Sequence, residues 1–326
     1  VLISVLDRAA AASQESEAET LRQVSAHAQH VESLGFHRFM VAEHHAVAGI
    51  PGSQPAILAA HVASSTSTLR VGTAGVMVPD HPPLIIAEQV GLLEALYPGR
   101  IDIGLGSSVG FTAPVRQALR QGTPSEAKAR LEDDFRELLS YLSGSAGITA
   151  RPENRAQTPL YVLAGYRSAF LAAKLGLKVI LGGPVEVQLK AAQVYRGNFV
   201  PSAFAAEPEV VSSLNIAVAE SERAASDLLL PESYAKALSR STGVFSALAP
   251  AAELDLESLT SQQKKRIADF QAHCIVGTPA QVRESLMAAS EKLGVQEFLV
   301  TGDIPDQAGR ARSEELLAEI AQGLSR

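Results

Sequence analysis

Short apolar runs alternate with stretches of helical periodicity along all 326 residues of this chain, and that alternation limits the fold more than any single motif does. Val1–Leu6 reads as a strand, and a helical repeat over Glu17–Leu34 follows until Gly35 stops it. The unit then recurs. Strand-like runs at Arg38–Ala42, Leu69–Val78, Arg100–Leu105, Leu160–Leu163, Leu177–Leu181, Val211–Ala219 and Glu297–Thr301 are separated by helical segments such as Ser53–Ser67, Pro83–Leu96, Ser125–Leu142, Val185–Tyr195 and Pro279–Leu293. Eight strands alternating with helices predict an α/β chain folded as a single (β/α)8 TIM barrel with loop insertions; on pattern alone an open doubly wound sheet is the alternative. No Gly/Ser linker splits the chain, so residues 1–326 read as one domain. Thr242–Gln263, rich in Ser, Ala and acidic residues, reads as an insertion that forms a lid, with a short surface helix through Ala251–Leu259 as the competing and compatible reading.

Composition removes several functions. With 28 Lys+Arg against 35 Asp+Glu the net charge is −7, spread along the chain, and there is no Trp and no basic stretch with interleaved aromatics. Nucleic acid is therefore not an expected partner. Cys274 is the sole cysteine, so neither an internal disulfide nor a thiolate metal cluster can form. The longest apolar stretches, such as Leu84–Ala87, fall far short of the roughly 20 residues a membrane span requires. No basic leader precedes Val1, and the sequence predicts a cytoplasmic protein.

In a barrel, reactive groups gather where strands end. Four such points stand out: Glu43-His44-His45, Thr73-Ala74-Gly75, Gly104-Leu105-Gly106-Ser107-Ser108 and Ala164-Gly165-Tyr166-Arg167-Ser168. Small residues there let backbone approach a flat ligand, and Gly165–Ser168 opens a helix whose N–H groups suit a phosphate. Glu43-His44-His45 reads either as a buried polar cluster with satisfied hydrogen bonds or as one histidine facing the mouth for acid–base work. No metal is expected, because adjacent histidines at a strand end point to opposite sides and no partner follows at ligand spacing. Gly104-x-Gly106 lacks the third glycine of a dinucleotide fingerprint. His81, within Pro79–Pro83, reads as part of a strand-to-helix turn, and Cys274 as a buried structural thiol.

The runs Val41–His45, Leu69–Met77, Ala87-Glu88-Gln89 with Leu93-Glu94, Pro98–Gly106, and Val276–Pro279 with Val282 together resemble the luciferase-like flavin monooxygenases, in that family's order and over nearly the whole chain. The resemblance implies a TIM barrel that takes reduced FMN from a separate flavin reductase and reacts it with O2. A flavin peroxide then oxygenates a small organic substrate. It implies that His44 is the active-site histidine, and that Ala74-Gly75 is the bulge under the flavin ring, often a non-prolyl cis peptide. Gly106 and Ser107 would border the cofactor, while Ala164, Gly165 and Ser168 would form the phosphate turn. The expected assembly is a homodimer. Many relatives carry an Arg after the fourth-strand glycines, where this chain has Ser107-Ser108, which leaves Arg116 or Arg167 to compensate. Two alternatives on the same fold are an F420-dependent oxidoreductase, against which Glu43-His44-His45 counts, and a non-catalytic flavin-binding protein.

Overall fold

The computed structural model describes residues 1–110 and 112–324. Its first half runs β1 (Leu2–Asp7), α1 (Glu17–Ser33), β2 (Arg38–Val41), α2 (Pro55–Ser65), β3 (Arg70–Met77), α3 (Pro83–Leu96), β4 (Ile101–Gly106), α4 (Ala113–Ala118) and α5 (Pro124–Ser143). Then follow β5 (Leu160–Ala164), α6 (Tyr166–Leu175), β6 (Lys178–Leu181), α7 (Val185–Asn198), β7 (Val210–Val218) and α8 (Glu222–Thr242). The last third holds α9 (Ser261–Gln271), β8 (Ile275–Gly277), α10 (Pro279–Leu293), β9 (Glu297–Thr301) and α11 (Gln307–Leu324).

Local chemistry sets these limits. Ser16 and Glu19 form a reciprocal capping box that starts α1, and Gly35, at φ 74°, turns the chain away after it. The strands are near-continuous apolar runs because a parallel sheet covered by helices is buried on both faces. Each strand pairs in parallel with its neighbour from β1 through β7, and β9 joins β7 to β1, so the sheet closes. Closure decides for the (β/α)8 barrel over the open sheet.

Three sequence expectations need correction. β7 is nine residues long and outruns the barrel: Ser212–Asn215 pair with β9, while Ile216–Val218 pair with the three-residue β8. So short a strand carries no periodicity to read. In the insertion, Ala251–Leu259 is not a helix; only a 3-10 turn forms at Ala251–Glu253, and regular helix begins at Ser261 behind the Thr260–Gln263 capping box. Periodicity over Ala113–Gln121 predicts a helix through all nine residues, but α4 ends at Ala118, and Gly122, at φ 75°, separates it from α5.

The barrel interior is filled in layers. Met40, Ala74, Tyr161, Ile180, Val211 and Leu299 form an apolar layer. Beneath it, at the strand starts, lies an ionic floor. Arg38 pairs with Asp102 at 3.0 Å and with Glu297 at 2.7 Å, and its guanidinium lies 5.0 Å from the Tyr161 ring centre. Arg70 grips the same Asp102 through two nitrogens, at 2.7 and 2.8 Å.

Between barrel and helices, His27 of α1 is buried with Nδ1 2.7 Å from Asp7 and Nε2 2.6 Å from Glu314. Two carboxylate acceptors require both ring nitrogens to carry protons, so this histidine is a buried imidazolium. Burial and Arg310 work against that charge, but Glu314 and Asp7 outweigh them and raise the His27 pKa above its ordinary value. Burial alone would raise Asp7, yet the hydrogen bond and charge of His27 bring it down to about 2. The signs give a window. The His27 contribution is complete below about pH 6.5 and is lost as pH rises through the raised value; the Asp7 contribution is complete above about pH 4 and is lost as pH falls toward its native value. Melting temperatures from pH 3 to 9 for wild type and His27→Gln are expected to show the largest gap between about pH 4 and 6.5, narrowing on both sides. A pH-independent gap would show that the site holds no charge.

Candidate active site

The candidate site is built at the C-terminal ends of β1 to β5 and β9. Parallel register sets β2 beside β3, with Val41 opposite Thr73, so the segments that leave these two strands lie side by side. His44 follows β2 and is fixed by its backbone N–H, which donates to Gly52 O at 3.0 Å. Its ring borders a cavity of about 250 Å³ together with Arg8, Ala74, Met77, Asp80 and Ser108. Burial first, then the positive charge of Arg8, hold the His44 imidazole down to about 4. At neutral pH the ring is uncharged and can accept a proton.

The peptide between Ala74 and Gly75 is cis, and the β3–β4 register shifts across it. A Cβ on Gly75 would lie 2.6 Å from the Gly104 carbonyl oxygen, so only glycine fits this seam. Gly106 packs against the end of the Met77 side chain. One strand further on, Ser107 Oγ and Ser168 Oγ are 3.1 Å apart, which joins the end of β4 to the start of α6. Gly165 is the N-cap of α6 and offers no side-chain acceptor, and an added Cβ there would meet nothing within 4 Å. The first N–H groups of α6 therefore open outward beside two hydroxyls, with Ala164 buried behind them. Arg167 sits exposed in the first turn of α6, whereas Arg116 is committed to the Gly110 carbonyl at 2.9 Å.

The sequence-predicted residues thus form two adjoining groups. His44 and Ala74 share the cavity, and Ser107, Gly165 and Ser168 form the cradle next to it. Small residues line the wall, and donors stand at a helix start, an arrangement that can accept an anionic group.

Sequence reasoning missed two features. Arg8, just past β1, is clamped between Glu232 and Asp303, and Glu232 also pairs with Lys236. Burial and the charge of Glu232 push Asp303 up to about 6 against the pull of Arg8. The signal was present: Arg8 and Asp303 are charged residues immediately after strand ends, where barrel chemistry gathers. The second is His81. Glu43 Oε1 receives His45 Nε2 at 2.6 Å and His81 Nε2 at 2.8 Å, while Glu43 Oε2 accepts the Met77 N–H at 2.8 Å. Spacing along the chain did not reveal this partner, because His81 reaches Glu43 only through the β2–β3 neighbourhood. Burial would raise Glu43, but these donors lower it, and burial with the Glu43 charge pushes Asp80 up to about 6. Cys274 is half-buried, and burial pushes its thiol up to about 12, which disfavours the nucleophilic thiolate.

A closed parallel barrel with an imidazole, two hydroxyls and an open helix start at its mouth has the layout of a barrel enzyme, whose chemistry gathers at that end. The luciferase-like monooxygenase model matches residues 1–297, and the chain belongs to that family. A luciferase-like monooxygenase of Escherichia coli (strain K12) is 31% identical, over 94% of each chain. The crystal structure of apo-MsnO8 is 29% identical and superposes with a TM-score of 0.86 over 99% of this chain and 98% of its own. The oxygenating constituent of 3,6-diketocamphane monooxygenase from Pseudomonas putida, in complex with FMN, has a TM-score of 0.70 at 18% identity over 98% of this chain and 97% of its own. A coenzyme F420-dependent tetrahydromethanopterin reductase from Methanopyrus kandleri has a TM-score of 0.72 at 15% identity over 100% and 99%. At those identities the last two share the fold alone. Among the described residues, no helix is long and apolar enough to cross a membrane.

Proposed function

We propose that this chain is a two-component monooxygenase of the cytoplasm that takes reduced FMN from a separate reductase and uses O2 to oxygenate a small organic molecule. The observation that carries the reading is the juxtaposition of a neutral His44 on the cavity wall with the uncapped α6 start and the Ser107–Ser168 hydroxyl pair. When bound, the reduced flavin supplies the oxygen chemistry. The chain's own part is to hold the ring against Ala74-Gly75 and bind the phosphate at Ser107, Ala164, Gly165 and Ser168, with Arg167 reaching it from α6. Gly106 keeps the wall thin, and His44 moves a proton at its imidazole.

The test is a spectrophotometric titration with reduced FMN, oxidised FMN and F420, followed by O2 uptake with FMN and a reductase. Tighter binding of reduced than of oxidised FMN, no F420 binding and flavin-dependent O2 uptake are expected. F420 binding without FMN binding would replace this reading with hydride transfer. FMN binding without O2 uptake would leave a flavin-binding protein.

Residues 242–263 act as the lid in this reading. Phe245 O accepts the Gly49 N–H at 2.9 Å, and Leu248 is buried and exchanges backbone hydrogen bonds of 2.8 Å with Ala11 and Ser13. The segment is thus sewn to the loops that leave β1 and β2, one of which carries His44. Removing it should leave flavin binding nearly intact and divert turnover into hydrogen peroxide release; unchanged coupling of O2 uptake to product would end the lid role.

The chain works as a homodimer through α2 and α3, which are apolar on both faces. Leu58, Val62, Ile86 and Val90 pack inward, while Ile57, Ile85, Leu92 and Leu96 are between 43 and 71% exposed. Sedimentation should give a dimer that Leu92→Glu converts to monomer; a monomeric wild type at micromolar concentration would exclude it.

A further inference from the structure

Glu43, His45 and His81 bring one carboxylate oxygen and two imidazole nitrogens within 4.8 Å of one another. The Met77 N–H holds Glu43 by its other oxygen, so Oε1 is turned toward both rings. A second carboxylate lies beside His45. The Asp80 side chain is 3% exposed, its Oδ2 lies 3.7 Å from His45 Nε2, and its Oδ1 has no hydrogen-bond partner. Two carboxylates enclosed with only two imidazoles call for positive charge, and a buried oxygen without a donor is the sign that such charge is missing. The cluster borders the cavity beside His44, which gives a cation a way in.

We propose that Glu43, His45 and His81, with Asp80 as a fourth donor, form a binding site for a divalent transition-metal cation of the zinc class. Two imidazoles with carboxylate oxygens suit borderline cations, whereas Mg2+ and Ca2+ prefer all-oxygen sets. Bonds of about 2.0–2.2 Å would require the Glu43 oxygen and the two ring nitrogens, which already face one another, to open from hydrogen-bond spacing, with Asp80 turning in from beside His45. The Met77 N–H acts as the outer partner that orients the Glu43 carboxylate. Occupancy would tie the loop after β2 to the turn after β3 and place a fixed charge next to the cavity. The site is made of this chain's own residues and does not depend on the flavin reading.

The experiment is calorimetric titration of the metal-stripped protein with Zn2+, with Cu2+ and Co2+ as spectroscopic probes. One equivalent of Zn2+ per chain is expected, with affinity at least about 10²-fold lower in His81→Ala and a smaller loss in Asp80→Asn. The electron paramagnetic resonance spectrum of the Cu2+ form should carry coupling to two imidazole nitrogens. That spectrum needs only the wild type, so it decides the matter even where a variant misfolds. Absence of stoichiometric binding at micromolar Zn2+, a loss below about tenfold in a folded His81→Ala, or a Cu2+ spectrum without two nitrogens would each overturn the site. The cluster would then be a hydrogen-bonded network alone.

Discussion

Replacing His44 with alanine is expected to lower the proposed flavin-dependent, O2-coupled product formation by about 10²-fold or more while the barrel stays folded. The effect is large because no neighbour can take over. His45 and His81 both spend Nε2 on the same oxygen of Glu43, whereas the His44 ring lies on the cavity wall and is kept neutral by burial and Arg8. Its backbone N–H donates to the Gly52 carbonyl, a bond that the substitution keeps. Rates of product formation and O2 uptake, measured at saturating reduced FMN alongside circular dichroism, decide the matter. Unchanged coupled turnover in a folded variant would make His44 a structural residue.

Arg38→Ala is expected to destabilise the protein by about 3–5 kcal/mol, because it leaves buried Glu297 without its cation and takes one of two cations from buried Asp102. Arg38 is 4% exposed and Asp102 1%, so water cannot stand in for the lost guanidinium. Arg70 remains on Asp102, but among the described residues Glu297 keeps only the Ser4 hydroxyl, at 2.6 Å. Thermal unfolding should fall by roughly 5–10 °C. A loss within about 0.5 kcal/mol, as for an exposed residue, would show that the floor contributes little. The doubly neutral variant Arg38→Met with Glu297→Gln should recover part of the loss, since burying fewer charges lowers the desolvation cost.

The barrel was legible in the sequence because its evidence is repeated: each strand is a local apolar run, each helix a local periodicity, and eight repetitions outweigh errors at any one boundary. β8 was not, since three residues cannot show a period. His44, Ala74 and Gly75 could be placed at the barrel mouth because they follow apolar runs that mark strands, while the roles given to them came from the family resemblance. Arg8, Glu232 and Asp303 escaped because their partnership spans nearly the whole chain, and only barrel closure through β9 brings Asp303 to Arg8. The Glu43–His81 contact escaped for the same kind of reason, since adjacent parallel strands bring together loops that sequence distance keeps apart.

Among the described residues, the ionic floor at the strand starts and the apolar layer above it close the barrel at one end, so the cavity lined by His44 is approached from the mouth. Anything that reaches His44 must come in, and go out, on the same side. Arrivals and departures therefore queue, and a molecule that lingers blocks the next. For a chain of this shape the order of traffic is set by architecture before any bond is made, and a slow departure is enough to limit the whole cycle.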